Sequence, residues 1–478
     1  MPDGDAGLRR LALLVIHGIG DQKPYETMDR VAARIHGWLA HQGITARLTH
    51  VQILRRDGSA SWQESIIRIA LTWDTGTTRQ PLEIDVHEYY WAYKKADYRT
   101  STTEIADWIK RLGLNIGELR RTMKDSPAWP AGPQGVVYRA AGYTPGAPGA
   151  ALPRQASYRD ALLDKVRLSF LLPFTGIRWH LPRSVVLFLV LLLSMRPAWL
   201  RWLSLSLVPA IWGAVFANSL PFLKGRTLGF AIDRLRDVVV YTASDPNHPG
   251  ARFRQRILSD GVALLAGLLA RPNGQANPAV ERAGPYDGVL IISHSMGTVV
   301  GNDALNRLIR QAAHDSSVAL DRLYGFVTMG SPLDKLRVYF ADDVGEQVAA
   351  QGSRTALRDQ ITRQLYGFRV QTPMPTARGG AVIGDALTPL PALHPEFRWL
   401  NFYAEEDPIS DALDFFRVDG NYLIDATRYG PGGAHDIYWE DPHVFAIILG
   451  EMNAAGFFVP PPAAAAAPAQ PPAPAAGG

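Results

Sequence analysis

The chain of 478 residues contains no cysteine. This absence excludes disulfide bonds, thiolate metal ligands and a cysteine nucleophile, and it is compatible with a reducing compartment. A strong excess of one charge is also lacking, because 49 Lys and Arg residues are balanced by 45 Asp and Glu residues, for a net charge of +4. Since no basic block with interleaved aromatic residues occurs either, we expect no nucleic-acid partner.

The N-terminal region lacks an apolar run as long as that of a signal peptide. Its apolar segment, Leu11–Ile16, is short and leads directly into His17-Gly18-Ile19-Gly20. We therefore predict a buried strand followed by a glycine-containing turn, not a targeting segment. Without a signal peptide, we expect the protein on the cytoplasmic side of a membrane.

The most informative stretch is Tyr286–Val300. The continuous apolar run Val289–Ile292 predicts a strand buried on both faces, and an amphipathic helix follows after a short turn of small and polar residues. Ser295 lies at the apex of that turn. Such a corner exposes a serine Oγ and directs the helix N-terminus, with the backbone N–H of Met296, toward a developing negative charge. The alternative is an ordinary serine-rich connection between a strand and a helix.

A nucleophilic serine requires a histidine base, and that histidine requires a carboxylate. Asp407 follows the predicted strand 398–404 and precedes a proline, which places its carboxylate on a loop at the strand end. Glu405 and Glu406 are close competitors for the same role. A solvated loop rich in charge would also explain this cluster.

His435 is the preferred base, because the glycines before it suit a loop that folds over the sheet edge. His443 is the alternative. His394 precedes Asp407 and so breaks the expected order of nucleophile, acid and base.

The order Ser295, Asp407, His435 resembles that of the α/β-hydrolase superfamily, on the lipase and esterase side. Five motifs carry the resemblance, within the first 90 residues and about 285–450: His17-Gly18-Ile19-Gly20, Ser293-His294-Ser295-Met296-Gly297, Gly330-Ser331-Pro332, Asp407-Pro408 and Ala434-His435. One departure is Ser293, which stands where the family usually has the first glycine of its nucleophile turn.

The resemblance implies an α/β fold with a mostly parallel sheet flanked by helices and a long helical insertion. It implies that Ile19 and Met296 supply the two oxyanion-hole N–H groups, and that His17 supports the oxyanion turn without acting as a base. Gly18, Gly20, His294 and Gly297 are the further supporting residues. Neither a metal ion nor an organic cofactor is expected.

The domain organisation follows from these motifs and from composition. Residues 1–93 and 283–458 are predicted to form the two parts of the hydrolase core, and 94–282 the helical insertion or lid. Within this insertion, residues 127–153 are rich in Pro, Gly and Ala and predict an irregular connection. The tail 459–478 is almost entirely Pro, Ala and Gly and is predicted to be disordered.

The insertion contains an apolar segment at about 184–222 with tryptophans among arginines, a composition typical of membrane interfaces. A membrane-inserted hairpin or re-entrant wedge, an interfacial lid and a buried helical cap all remain open. We expect association with a membrane surface or bilayer through this segment.

We further expect hydrolysis of a carboxylic ester of a lipid or another apolar acyl group. Thioesterase, amidase or acyltransferase activity with the same triad, or a catalytically silent membrane-associated scaffold, are the alternatives.

Overall fold

The structure, a computed structural model, describes residues 7–19, 23–57, 60–74, 79–92, 104, 136–145, 149–151, 238–242, 249–270, 286–339, 393–414, 416, 418–429 and 433–458. The apolar segment 184–222, most of the insertion and the tail 459–478 lie outside these ranges. Among the described residues, no helix has the length and apolar character needed to cross a membrane.

A ten-stranded mixed sheet forms the centre of the described structure. Its strands are β1 Arg9–Ile16, β2 Ala46–Asp57, β3 Ala60–Asp74, β4 Arg79–Tyr89, β5 Val136–Arg139, β6 Ala150–Ala151, β7 Gly288–His294, β8 Leu323–Met329, β9 Arg398–Tyr403 and β10 Gly420–Leu423. Their order across the sheet is β2-β3-β4-β1-β7-β8-β9-β10-β5-β6. The pairs from β4 through β5 are parallel, whereas β2, β3 and β6 run antiparallel to their neighbours at the two edges.

Helices cover both faces of the sheet. They are α1 Glu26–His41, α2 Pro249–Leu268, α3 Met296–Ala312, α4 Leu333–Tyr339 and α5 Pro442–Ala454. Helices α1 and α5 share one apolar core with one sheet face, and α2 and α3 share another core with the opposite face. Because both faces are covered, every residue of β7 and β8 is buried. The predicted α/β class, a mostly parallel sheet flanked by helices, is therefore confirmed.

The order in which strands are added to the sheet changes direction between β1 and β7. The strands that directly follow β1 in the chain lie on one side of it, and those that directly follow β7 lie on the other side of β7. These neighbouring strands are parallel, with Ile16 opposite Ser293. After β1 the chain continues into α1 on one face, whereas after β7 it continues into α3 on the other. Loops that leave adjacent strand ends toward opposite faces open a crevice, and α/β proteins place ligands in such crevices. The turns containing His17 and Ser295 lie there.

Three parts of the sheet differ from the sequence-based expectation, and one of them is the short strand β10, which was not predicted. The strands β2 and β3 form an antiparallel pair between α1 and β4, where the sequence analysis predicted no strand. Residues 136–139 and 150–151 form β5 and β6 beside β10, although an irregular connection was predicted for this part of the insertion. The described part of the range 94–282 therefore contributes strands to the main sheet in addition to the helix α2.

Candidate active site

Ser295 occupies a sharp turn between β7 and α3. Its backbone has φ 55° and ψ −132°, and Tyr25 is the only other described non-glycine residue with positive φ. An L-residue in this region is strained, and such strain persists only where surrounding bonds enforce it. Here the Ser295 N–H donates to the Met329 carbonyl of β8 at 2.9 Å, and its own carbonyl accepts from the Thr298 hydroxyl at 2.6 Å. The turn is thus fixed on both sides of the serine.

The structure brings Ser295, His435 and Asp407 into one hydrogen-bonded chain. Ser295 Oγ lies 2.8 Å from His435 Nε2, and His435 Nδ1 lies 2.8 Å from Asp407 Oδ2. Because a carboxylate accepts hydrogen bonds only, Nδ1 carries the proton and Nε2 is left to accept from the serine hydroxyl. All three residues are at most 1 % exposed.

Three donors surround the Asp407 carboxylate. Besides His435, the Tyr438 hydroxyl donates to Oδ2 at 2.8 Å and the Ile409 N–H donates to Oδ1 at 2.9 Å. Burial alone would raise the pKa of Asp407, but its electrostatic interaction with His435 and these three hydrogen bonds together hold that pKa well below its usual range. Asp407 is therefore an ionised carboxylate at neutral pH.

Tyr438 is kept as a hydrogen-bond donor by the same surroundings. Burial, followed by the negative charge of Asp407, raises the pKa of Tyr438 well above its ordinary value. Its oxygen also lies 2.8 Å from Ser410 Oγ, on the loop that follows Asp407. Neither Tyr438 nor Ser410 was predicted from the sequence as part of the site. An aromatic hydroxyl three positions after the base has no recognisable motif, so no signal pointed to them.

The loop after β1 approaches the serine turn very closely. A Cβ atom on Gly18 would lie 2.6 Å from Ser295 Cβ, and one on Gly297 would collide with the carbonyl oxygens of Ile16 and His17. Both positions therefore require glycine. Ile19 and Met296, the predicted oxyanion donors, are buried next to Gly18 and Ser295 in the same core. Gly20 lies outside the described residues.

His17 shapes this loop through both ring nitrogens. Nδ1 lies 2.6 Å from the Gly18 carbonyl, which it can only approach as a donor, and Nε2 accepts from the Trp91 N–H at 3.0 Å. The Trp91 indole N–H in turn donates to the His17 carbonyl at 2.9 Å, and the two rings stack. His17 is thus a neutral imidazole with both nitrogens engaged in holding the loop, the arrangement that a supporting residue needs.

His294, which precedes Ser295, contacts His435. Its Nε2 donates to the backbone carbonyl of His435 at 2.7 Å, and the two rings are 4.8 Å apart. Gly330, which has φ 60° at the end of β8, leaves the space in which these rings meet, because a Cβ there would be 3.2 Å from His435 and 3.3 Å from His294.

The other acidic and basic candidates lie elsewhere. Glu405 is exposed and Glu406 partly exposed. His443 Nδ1 lies 2.9 Å from Asp441 at the start of α5, with its side chain about half exposed. His394 stacks on Tyr324, the second residue of β8, at the opposite end of that strand from Gly330. Asp407 and His435 are therefore the pair that the structure brings to Ser295.

Among the described residues, no group of three or more His, Asp or Glu side chains is arranged to hold a metal ion. In comparisons with family models, with curated proteins and with solved structures, nothing matched the chain.

Proposed function

We propose that the protein is a serine hydrolase of the α/β-hydrolase type that cleaves carboxylic esters. The observation that carries this proposal is the chain Ser295–His435–Asp407, with 2.8 Å at each link, at a serine with a strained positive φ. A structural serine needs neither a buried histidine on its Oγ nor a buried carboxylate behind that histidine. The position at the reversal between β1 and β7 supports the same conclusion.

Acylation follows from the protonation states that the hydrogen bonds impose. His435 Nε2 removes the proton of Ser295 as Oγ attacks the ester carbonyl carbon, and the new positive charge on the imidazole is stabilised by Asp407. The N–H groups of Ile19 and Met296 receive the oxyanion of the tetrahedral intermediate. His435 then gives its proton to the leaving alkoxide, and Ser295 retains the acyl group.

Deacylation repeats these steps with water as the nucleophile. His435 takes a proton from the water as it attacks the acyl carbon, and then returns a proton to Ser295 Oγ when the carboxylic acid leaves. The low exposure of all three side chains strengthens each of these electrostatic interactions, because little water screens them.

We assign the substrate to esters of lipids or other apolar acyl groups, on the basis of sequence composition. The segment 184–222 is apolar, carries tryptophans beside arginines and lies in the insertion between the two core parts. In α/β-hydrolases, segments inserted between the strands of the sheet line the approach to the nucleophile. Delivery of the substrate from a membrane surface through this segment is part of the proposal.

Fluorophosphonate labelling of the purified protein tests the catalytic assignment. We expect stoichiometric labelling of the wild type and of Ser317→Ala, an exposed serine on a distant turn, and none of Ser295→Ala. Labelling that is independent of Ser295 in a folded protein would favour the non-catalytic scaffold.

A series of p-nitrophenyl esters of increasing acyl length tests the substrate class. We expect kcat/KM to rise with chain length, since each buried methylene contributes about 0.8 kcal/mol. Activity restricted to short acyl groups would contradict the lipid assignment and leave the hydrolase intact.

Fractionation of the chain with and without residues 184–222 tests the membrane assignment. Full solubility of the intact chain without detergent would contradict it.

A further inference from the structure

A lysine is buried beneath the loop that carries the acid. Lys335, on the short helix α4 after Gly330, is 2 % exposed. Its Nζ donates to three consecutive backbone carbonyls, those of Pro408 at 3.0 Å, Ile409 at 3.1 Å and Ser410 at 3.0 Å. Lysine side chains usually extend into water, whereas this one is directed at a single tight turn of backbone, residues 408–410.

The geometry fixes the protonation state of this lysine. Three carbonyl oxygens can only accept, so three N–H donors are required to bind them all. An ammonium group has three such donors, whereas a neutral amine has two. The side chain therefore binds this turn as a cation, and hydrogen bonds from a charged donor are stronger than those between neutral groups.

The residues that Lys335 holds also organise the Asp407 carboxylate. Ile409, whose carbonyl accepts from Lys335, donates its own N–H to Asp407 Oδ1. Ser410, whose carbonyl also accepts from Lys335, places its Oγ 2.8 Å from the Tyr438 hydroxyl that donates to Asp407 Oδ2. Both carboxylate oxygens of Asp407 thus have donors that depend on the 408–410 turn, and Lys335 binds this turn.

Helix α4 begins close to the site itself. It follows the segment Gly330-Ser331-Pro332, where Gly330 leaves room for the His435 ring and Ser331 Oγ lies 2.9 Å from the Thr298 hydroxyl that fixes the serine turn. The N–H of Leu333 donates to Ser331 Oγ at 3.3 Å, which ties the start of α4 to the same serine. Lys335 therefore connects the loop after β8, which packs against the base, to the loop after β9, which carries the acid.

We propose that Lys335 is a positioning residue of the catalytic site, which holds the 408–410 turn so that Asp407 keeps its hydrogen bond to His435. This inference rests on the proposed serine hydrolase function. Lys335 acts through the carbonyls of the turn, and its role is to fix the acid and not to transfer a proton. Loss of this anchor lets the turn relax outward and lengthens the bond between Asp407 and His435.

Lys335→Met is the first test, because methionine keeps the unbranched apolar stem and removes all three donors. We expect kcat to fall about 10²-fold, the effect of displacing a catalytic group by about 1 Å. KM should change little, because the proposed role of Lys335 is to position Asp407 and not to bind substrate. The matched control is Arg9→Met, which removes a cation that donates to the Gly456 and Phe457 carbonyls at the far end of β1. Its kcat per folded molecule should stay at the wild-type value.

The absence of cysteine allows a direct rescue experiment. In Lys335→Cys the single thiolate can be alkylated with 2-bromoethylamine in the unfolded chain, which forms one S–C bond, releases bromide and restores an ammonium at the lysine position. After refolding, we expect most of the lost kcat to return. Alkylation with iodoacetamide, which adds a neutral amide instead, should give little recovery. Equal recovery with both reagents would contradict a role for the cation.

A measurement without turnover separates this inference from the proposed function. The Nδ1 proton of His435 in its bond to Asp407 should give a far-downfield proton resonance in the wild type and in Arg9→Met, and a lost or shifted one in Lys335→Met. If the wild type shows this resonance but no Ser295-dependent hydrolysis, the hydrolase proposal fails while the positioning role is still tested. A folded Lys335→Met with unchanged kcat and an unchanged resonance would overturn the inference. Should that variant not fold, Lys335→Gln, whose amide can donate to only two carbonyls, takes its place with the same readouts.

Discussion

Gly18 and Ser295, 277 positions apart in the sequence, lie so close that a single methyl group would not fit between them. A Cβ on Gly18 would be 2.6 Å from Ser295 Cβ and 3.2 Å from its Oγ. The separation between these two residues thus sets how closely the loop after β1 can approach Ser295. Because the N–H of the next residue, Ile19, is the proposed oxyanion donor, this contact has a functional consequence.

For Gly18→Ala we expect a loss of about 10²-fold in kcat, the typical effect of removing one oxyanion donor. The added methyl group pushes the loop away from Ser295 and moves the Ile19 N–H with it. Steady-state hydrolysis of a short-chain ester measures this effect. In Gly37→Ala, where a Cβ on α1 meets nothing within 4 Å, activity should be unchanged and stability should rise by about 0.5–1 kcal/mol.

For Asp407→Asn we expect kcat to fall by about 10⁴-fold, because the amide NH2 can donate to Nδ1 and so favours the tautomer in which Nε2 carries the proton and cannot accept from Ser295. Folded structure, checked by circular dichroism, should be retained. Glu405→Gln and Glu406→Gln are the matched controls, since both acids are neighbours in sequence and neither is buried at the site. A larger loss in either control than in Asp407→Asn would mean that the acid has been misassigned.

The central strands and the loops of the proposed catalytic site were predictable because their sequence signals are local. The run 289–292 is apolar without alternation, the pattern of a strand buried on both faces, and β7 confirms it. The turns that follow β7 and β8 require small residues at fixed positions, so Ser295 and Gly330 could be recognised from the sequence. Glycines and a proline likewise marked the loops of His435 and Asp407.

The missed features depend on distant partners. Strands β2 and β3 lie at a sheet edge, where mixed polar and apolar residues give no continuous apolar run. The short strands β5 and β10 have four residues each and form only because neighbouring backbone is available for pairing. Lys335 is a common residue on a short helix, and its three carbonyl partners are more than 70 positions away. Nothing local distinguishes such a lysine from a solvated one.

A buried ion pair joins α3, the helix that follows Ser295, to α2. Arg254 Nη2 lies 3.1 Å from Asp303 Oδ2, which also accepts from the Tyr241 hydroxyl at 2.8 Å, and both charged side chains are at most 4 % exposed. Removal of one partner leaves the other as a buried charge. We therefore expect Arg254→Met to lower the free energy of unfolding by about 3–5 kcal/mol, measured by urea denaturation.

The double variant Arg254→Met with Asp303→Leu should recover much of that loss, because no uncompensated charge remains. Arg256→Met, on the exposed side of the same helix, should change the stability by less than about 0.5 kcal/mol. A double variant no more stable than Arg254→Met would show that the loss arises from packing and not from the isolated carboxylate.

Glu88 places a titratable group beside the start of α1. It is the penultimate residue of β4, and its Oε2 accepts the N–H of Tyr25, the strained residue with φ 70° that precedes the helix. Burial, only partly offset by hydrogen bonds from Tyr25 and Thr27 and reinforced by the charge of Asp29, raises the pKa of Glu88 to about 7. In the unfolded chain this pKa returns to its ordinary value of 4.5.

Between pH 4.5 and 7 the folded protein therefore binds a proton at Glu88 that the unfolded chain does not. The stabilisation from this proton is complete below pH 4.5 and is lost as the pH rises through 7, and the free energy of unfolding falls by up to about 1.4 kcal/mol per pH unit.

Glu88→Gln cannot titrate, so the variant should lack this slope and should be more stable than the wild type at pH 8. Urea denaturation across this pH range measures the difference, and Glu440→Gln, on an exposed turn, is the control that should follow the wild type. Equal slopes in the wild type and Glu88→Gln would mean that Glu88 is already ionised in the folded protein, with the N-terminus of α1 stabilising its charge.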